Sequence, residues 1–192
     1  CDQAPADYLK CFRNLYQYAD YFTINVACDP GQKAASYQTR ENITKILEPL
    51  FEFRRGQNQY RPILLKVSPD LSDETIDLMT DIMLDTPLDG MVAVNATVSR
   101  EGVDRLEATR TGVVSGQPLT QRALEVVRRI HPRSQGTYPI IGVGGLMTPD
   151  DVRAMLDAGA ALVQIYTGYI YNGPGYVREI CRALLEKKAA EN

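Results

Sequence analysis

The sequence contains one histidine, His131, which excludes a histidine-rich metal cluster, and no metal site is expected. Cysteine is scarce too. Cys1, Cys11, Cys28 and Cys181 are spaced neither for a disulfide framework nor for a zinc site, so reduced thiols in a cytosolic setting are expected. There is no basic excess: the net charge is −3, and nucleic acid is not an expected partner. No apolar run approaches the roughly 18 residues of a membrane helix, so no membrane segment is expected in this chain. The N-terminus is polar and aromatic, not basic and then apolar as in a secretory leader. Low-complexity and linker-like stretches are missing as well. The sequence opens on Cys1 instead of Met, which points to a fragment in preference to a lipidated N-terminal cysteine.

What remains is ordinary globular material, 44% hydrophobic and 23% charged over 192 residues, enough for one domain spanning 1–192 with its own core. Apolar spacing predicts a helix over 6–18 and β-formers predict a strand over 21–26, followed by a loop over 27–37. A helix over 41–53 and a strand over 62–67 come next, then a helix capped by Ser72 and reaching 84. A strand over 90–94 leads into a long polar loop over 95–117 and a helix over 118–130. A strand over 138–143 precedes the strong helix start Thr148-Pro149-Asp150-Asp151, and that helix ends at Gly159. The last strand is 162–166 and the last helix 176–188.

Five strands, each followed by a helix, describe an α/β protein with a parallel sheet buried on both faces. A (β/α)8 barrel of TIM type needs eight such units and about 250 residues. The expected fold is therefore that barrel with only its last five βα units present, the leading helix belonging to the unit before them. An open sheet of five strands would expose edges and apolar core, an aggregation hazard.

Barrel sites lie at the C-terminal ends of the strands. The residues there are Asn25 and Cys28, Lys66, Asn95, Gly144-Gly145 and Thr167-Gly168. Glycines after a strand let amide N–H groups approach an anion, and the helix beginning near Thr148 would add its positive end; tight turns are the alternative. Lys66 either snorkels to solvent or faces the site as a fixed cation for an anion or an electron-rich ring. Asn25 and Asn95 suit a heterocycle with alternating N–H and C=O groups, or else simply make turns. Cys28 is either an inert thiol or a general base with a lowered pKa. Cys11 and Cys181 fall at helical apolar spacing and are expected in the core.

Several motifs in order resemble the dihydroorotate dehydrogenase family, flavoenzymes of pyrimidine synthesis, over nearly the whole chain. They are Ala19-Asp20-Tyr21 leading to Asn25-Val26, Leu64-Leu65-Lys66-Val67-Ser68-Pro69-Asp70-Leu71, Asn95-Ala96-Thr97-Val98-Ser99-Arg100 and Ser115-Gly116-Gln117-Pro118-Leu119. Ile140-Ile141-Gly142-Val143-Gly144-Gly145 and Leu162-Val163-Gln164-Ile165-Tyr166-Thr167 complete the set, and the pattern is closest to the quinone-linked class. The resemblance implies FMN as cofactor, held by Ser115, Gly116, Gly144, Gly145, Tyr166 and Thr167, with Lys66 beside the flavin ring. It implies dihydroorotate and orotate as substrate and product on Asn25 and Asn95, Cys28 at the position of the base, and a quinone as electron acceptor. It also implies a cytoplasmic protein, peripheral to the inner face of the membrane at full length.

The sequence departs from the family pattern in three places. The base loop reads Asn25-Val26-Ala27-Cys28-Asp29-Pro30-Gly31, so the family's Ser is Ala27, its second substrate Asn is absent, and Asp29 would disfavour a Cys28 thiolate. Ala96 stands where the family carries a hydroxyl, and Val113, after Gly112, would be strained at any positive φ. Three readings follow: an FMN enzyme oxidising dihydroorotate to orotate; a catalytically impaired relic that keeps only FMN or phosphate binding; and a flavin barrel acting on another pyrimidine.

Overall fold

Five short strands form one parallel sheet in the computed structural model, which describes residues 3–27 and 38–190. They are β1 (Phe22–Asn25), β2 (Ile63–Val67), β3 (Gly90–Ala93), β4 (Ile140–Val143) and β5 (Leu162–Gln164). Their order across the sheet is their order along the chain, and each neighbouring pair is parallel. Right-handed crossovers between consecutive parallel strands place the connecting helices on one face. A doubly wound sheet would reverse its strand order partway. The sheet is thus a run of barrel staves, with helices outside and the other face left for the interior.

The helices are α1 (Ala4–Leu15), α2 (Arg40–Arg55), α3 (Asp73–Asp85), α4 (Thr120–Arg133), α5 (Pro149–Asp157), α6 (Thr167–Asn172) and α7 (Tyr176–Ala190). Local chemistry starts several of them. Ser72 Oγ accepts from Thr75 N at 3.3 Å at the head of α3, and Thr148 caps α5 in a complete capping box with Asp151. On α4, Ala123, Val126, Val127 and Ile130 are buried, while Arg129 and Arg133 grip Asp77 and Asp81 of α3 at 2.7–2.8 Å.

Alternation along the strands sorts the two faces. Ile63, Leu65 and Val67 of β2 join the main core with Met91, Ile140 and the helices. Leu64, Val92 and Ile141 form a separate small cluster with Val143. Lys66 alternates with Leu64 and so faces the interior. Register places Asn25, Lys66, Val92, Ile141 and Leu162 in one row across all five strands. Leu162, at the open edge of that row, is 61% exposed. The two edges come within reach where Gln164 Nε2 donates to Tyr21 Oη at 3.4 Å.

The N-terminal end of the sheet is closed by a knot around Arg54. Its guanidinium donates to Asp89 Oδ2 and to Pro87 O, both at 2.6 Å, and lies over the rings of Phe51 and Tyr60. Asp89 also accepts from Ile63 N at 2.7 Å and from Tyr60 Oη. Burial and the Asp89 bond together push the Tyr60 phenol above its usual range.

The expected order of elements holds, with ends shifted by a few residues. Three expectations need correction. Cys11 and Cys181 are exposed, not in the core. The buried stripe of α1 is set by Phe12 and Tyr16, and that of α7 by Tyr176 and Ile180. Each cysteine follows or precedes such a residue by one, a turn of about 100° around the helix. Helix α6 was not anticipated, because Tyr169, Ile170 and Tyr171 are all exposed and no buried stripe marks it. Val113 is unstrained: among the described residues Gln135 is the one non-glycine with positive φ, and Gly112 takes φ +117° instead.

Candidate cofactor and substrate site

A cleft of about 560 Å³ opens at the C-terminal ends of β2 to β5. It gathers Lys66, Asn95, Ser115, Gly116, Gly144, Gly145, Tyr166 and Thr167 from four strand ends and the segment that leads into α4. One described candidate stands apart from its lining. Asn25 neighbours Lys66 in register but borders the groove between α1 and β1. Cys28 lies outside the described residues.

One end of the cleft is made by β4, β5 and the approach to α4. Ser115 Oγ and Thr167 Oγ1 meet at 2.9 Å although 52 positions separate them. Gly116 has φ +84°, and a Cβ there would press on Thr167 Cγ2 at 2.9 Å. Gly145 has φ +70°, and a Cβ there would run into the backbone of Thr120, whose Oγ1 donates to Gly145 O at 2.8 Å. A side chain at either place would fill the cradle or push its walls apart. Tyr176 Oη donates to Leu146 O at 3.3 Å from beneath, and burial pushes this phenol up to about 12.

The start of α5 does not join this cradle as expected. Asp151 Oδ2 accepts from Met147 N at 3.0 Å and from Thr148 N at 2.8 Å. The helix thus satisfies its own first donors and offsets its positive end with its own carboxylate. Donors at this end must come from Ser115, Thr167 and the glycine-rich backbone.

Lys66 lines the cleft from the end of β2, half-buried. Burial alone pulls its ammonium below the ordinary lysine range. Among the described residues no ion pair reaches it. Such a cation gains most from an anionic or electron-rich partner in the same cavity.

Beside the cleft, Asn95 reaches the backbone of Ala27 after β1. Asn25 Oδ1 accepts from Ala27 N at 3.2 Å, and Asn95 Nδ2 donates to Ala27 O at 2.6 Å. Tyr8 Oη donates to Asn25 O at 2.8 Å. Both asparagines therefore brace the start of the loop after β1 in this state. Ala96, beside Asn95, contributes a methyl where the family pattern carries a hydroxyl.

Sequence reasoning missed Val113, Leu119, Leu146, Gln164 and Ile165, which also line the cleft. Gln164 carried a usable signal: it is the polar residue in an apolar strand, and alternation with Leu162 turns it inward. Ile165 and Leu146 carried none, since an apolar residue after a strand is equally at home in the core.

The chain matches the family model described as dihydroorotate dehydrogenase over residues 2–187. It is 45% identical over 190 residues to dihydroorotate dehydrogenase (quinone) of Thermosynechococcus vestitus, covering 95% of this chain and 51% of that protein. It is 39% identical over 186 residues to the protein of the same name from Christiangramia forsetii, covering 97% of this chain and 55% of that one. The crystal structure of the Eimeria tenella DHODH in complex with ferulenol superposes with a TM-score of 0.89 at 26% identity, over 98% of this chain and 55% of that one. The chain spans about half the length of the curated relatives it matches.

Proposed function

The chain belongs to the dihydroorotate dehydrogenase family, and from that premise we propose that it supplies the FMN-binding part of an enzyme that oxidises dihydroorotate to orotate in pyrimidine synthesis. The carrying observation is the cleft itself. It brings a half-buried lysine, which no ion pair reaches among the described residues, into one cavity with a hydroxyl-and-glycine cradle and the strand-end Asn95. That donor set fits a phosphorylated flavin: Ser115, Thr167 and the backbone at Gly116, Gly144, Gly145 and Tyr166 would hold the phosphate and ribityl chain, and Lys66 the ring. When bound, FMN supplies the acceptor for the hydride that leaves C6 of the substrate.

The chain's own residues carry the remaining roles. Lys66 offers a positive charge in a partly desolvated cleft, where it stabilises negative charge more strongly than in water. Asn25 and Asn95 orient the pyrimidine through amide donors and acceptors. Cys28 Sγ serves as the base for the C5 proton. A quinone is the proposed final acceptor, as the relatives' names indicate, with the full-length protein cytoplasmic and peripheral to the membrane. Among the described residues no helix is long and apolar enough to cross one.

A second reading, FMN binding without turnover, is favoured by one contact: the Asn95 amide is already engaged by Ala27 O. Anaerobic titration separates the two. Purified chain should take up FMN with quenching of its fluorescence, and dihydroorotate should then bleach the bound flavin. No uptake of FMN sinks both readings. Uptake without bleaching supports the second, and unchanged bleaching in Cys28→Ala removes that thiol as base.

A further inference from the structure

One carboxylate joins the two ends of the cleft from outside it. Asp70 sits in the turn after β2. Its Oδ1 accepts from Thr97 Oγ1, and its Oδ2 accepts from Val98 N at 3.0 Å. Thr97 Oγ1 accepts in turn from Ser99 N at 3.0 Å. Thr97 and Val114 then exchange both backbone bonds, at 3.0 and 2.7 Å, as an isolated antiparallel bridge. Asn95 lies two residues before Thr97, and Ser115 and Gly116 directly follow Val114. The segment gripped by Asp70 thus presents Asn95 at one end of the cleft and Ser115 at the other.

The grip is itself anchored. Arg122 of α4 donates through Nε to Pro69 O at 2.9 Å and through Nη2 to Leu71 O at 2.8 Å, on either side of Asp70. Asp70 N donates to Ser68 Oγ at 3.2 Å. Ser68 is two residues beyond Lys66, so the turn is rigidly continuous with the strand that carries the lysine. A carboxylate suits this place because it accepts from two different donors at once, each bond strengthened by its charge.

We propose that Asp70 is a positioning residue that sets the spacing between Asn95 and the Ser115 hydroxyl, and so couples the pyrimidine end of the cleft to the phosphate end. The coupling rests on the reading of the cleft as a shared cofactor and substrate site. The mechanical part does not depend on it: without Asp70, the bridge at Thr97 and Val114 loses its support on one side.

The test combines amide hydrogen exchange of the ligand-free chain with FMN affinity from fluorescence quenching and orotate affinity from the perturbed flavin spectrum. Asp70→Ala should speed exchange at Val98 and Ser99 and also across Val114 to Gly116. It should weaken FMN and orotate by roughly tenfold each. Ser115→Ala should weaken FMN alone, and Asn95→Ala orotate alone. Asp70→Asn keeps a carbonyl oxygen to accept from Val98 N and turns an amide N–H toward Thr97 Oγ1, which now accepts instead of donating, so it should restore most of both affinities. Asp81→Asn breaks an ion pair on α3 and serves as the merely structural control: it should leave exchange over 97–116 and both affinities unchanged. The proposal is overturned if exchange in Asp70→Ala rises only at 97–99, or if either ligand's affinity survives the substitution. If the unsubstituted chain takes up no FMN, the functional reading fails, and the exchange at Val114 to Gly116 alone decides the coupling.

Discussion

The two ends of the parallel sheet use their polar groups in opposite ways. At the N-terminal end, Arg54 is 7% exposed and its bonds go to Asp89 and Pro87, with aromatic rings over its face. That charge is matched within the protein. At the C-terminal end, Lys66 is half-buried and among the described residues has no such match, and the hydroxyls of Ser115 and Thr167 meet each other across an open cradle. A barrel needs one end for cohesion and can leave the other for ligands. The difference is the one expected of a barrel whose ligand site lies at the C-terminal ends of its strands.

Breaking the cohesive end should have the largest effect. Arg54→Ala leaves the Asp89 carboxylate partly buried without its cation, at a cost of about 3 kcal/mol or more in urea-induced unfolding. The fraction still folded should bind FMN with unchanged affinity. A loss of FMN affinity in that fraction would show that the two ends are not independent.

Lys66→Met should do the reverse. Removing a half-buried cation relieves its desolvation, so stability should hold or rise. FMN affinity should fall by about 1.5–3 kcal/mol, the range for a hydrogen bond to a charged group, as read by fluorescence titration. Ser115→Ala touches a neutral hydroxyl at the same end and should weaken FMN by about 1 kcal/mol, with Thr167 left as the remaining donor.

The smallest effect is a pH dependence. Lys66 titrates below its ordinary 10.5 in the folded chain because burial disfavours its charge. Between the folded and the unfolded value the unfolded state holds more protons, so this group adds stability as pH rises through that window. An anionic cofactor favours the charged lysine, so FMN affinity should weaken over the same window. In Lys66→Met that slope should vanish; a slope that persists would assign it to another group.

Much of the fold could be read from periodicity and caps. Leu64-Leu65-Lys66-Val67 marks a buried strand with one charge on the inner face, and Thr148-Pro149-Asp150-Asp151 marks a helix start. The glycines at 144 and 145 pointed to a close approach, and part of that approach is to Thr120 of the protein itself. Other features had no local trace. Helix α6 buries no stripe. Asp151 turns its carboxylate onto Thr148 N, which the Thr148-x-x-Asp151 spacing could have signalled as a capping box, and also onto Met147 N, which it could not. Asn25 and Asn95 were legible as polar strand ends, but their shared hold on Ala27 was not.

By itself the sequence determined which segments become strands and helices, and which residues stand just beyond the strands. Those outcomes follow from spacing and caps within a few residues. Only the tertiary structure decided that Ser115 would meet Thr167, that Asp70 would hold Thr97, and that Lys66 would line the same cleft as both Ser115 and Thr167. The physical reason is that a parallel sheet brings together groups far apart along the chain. Their contacts depend on register and on crossovers, which no local pattern encodes.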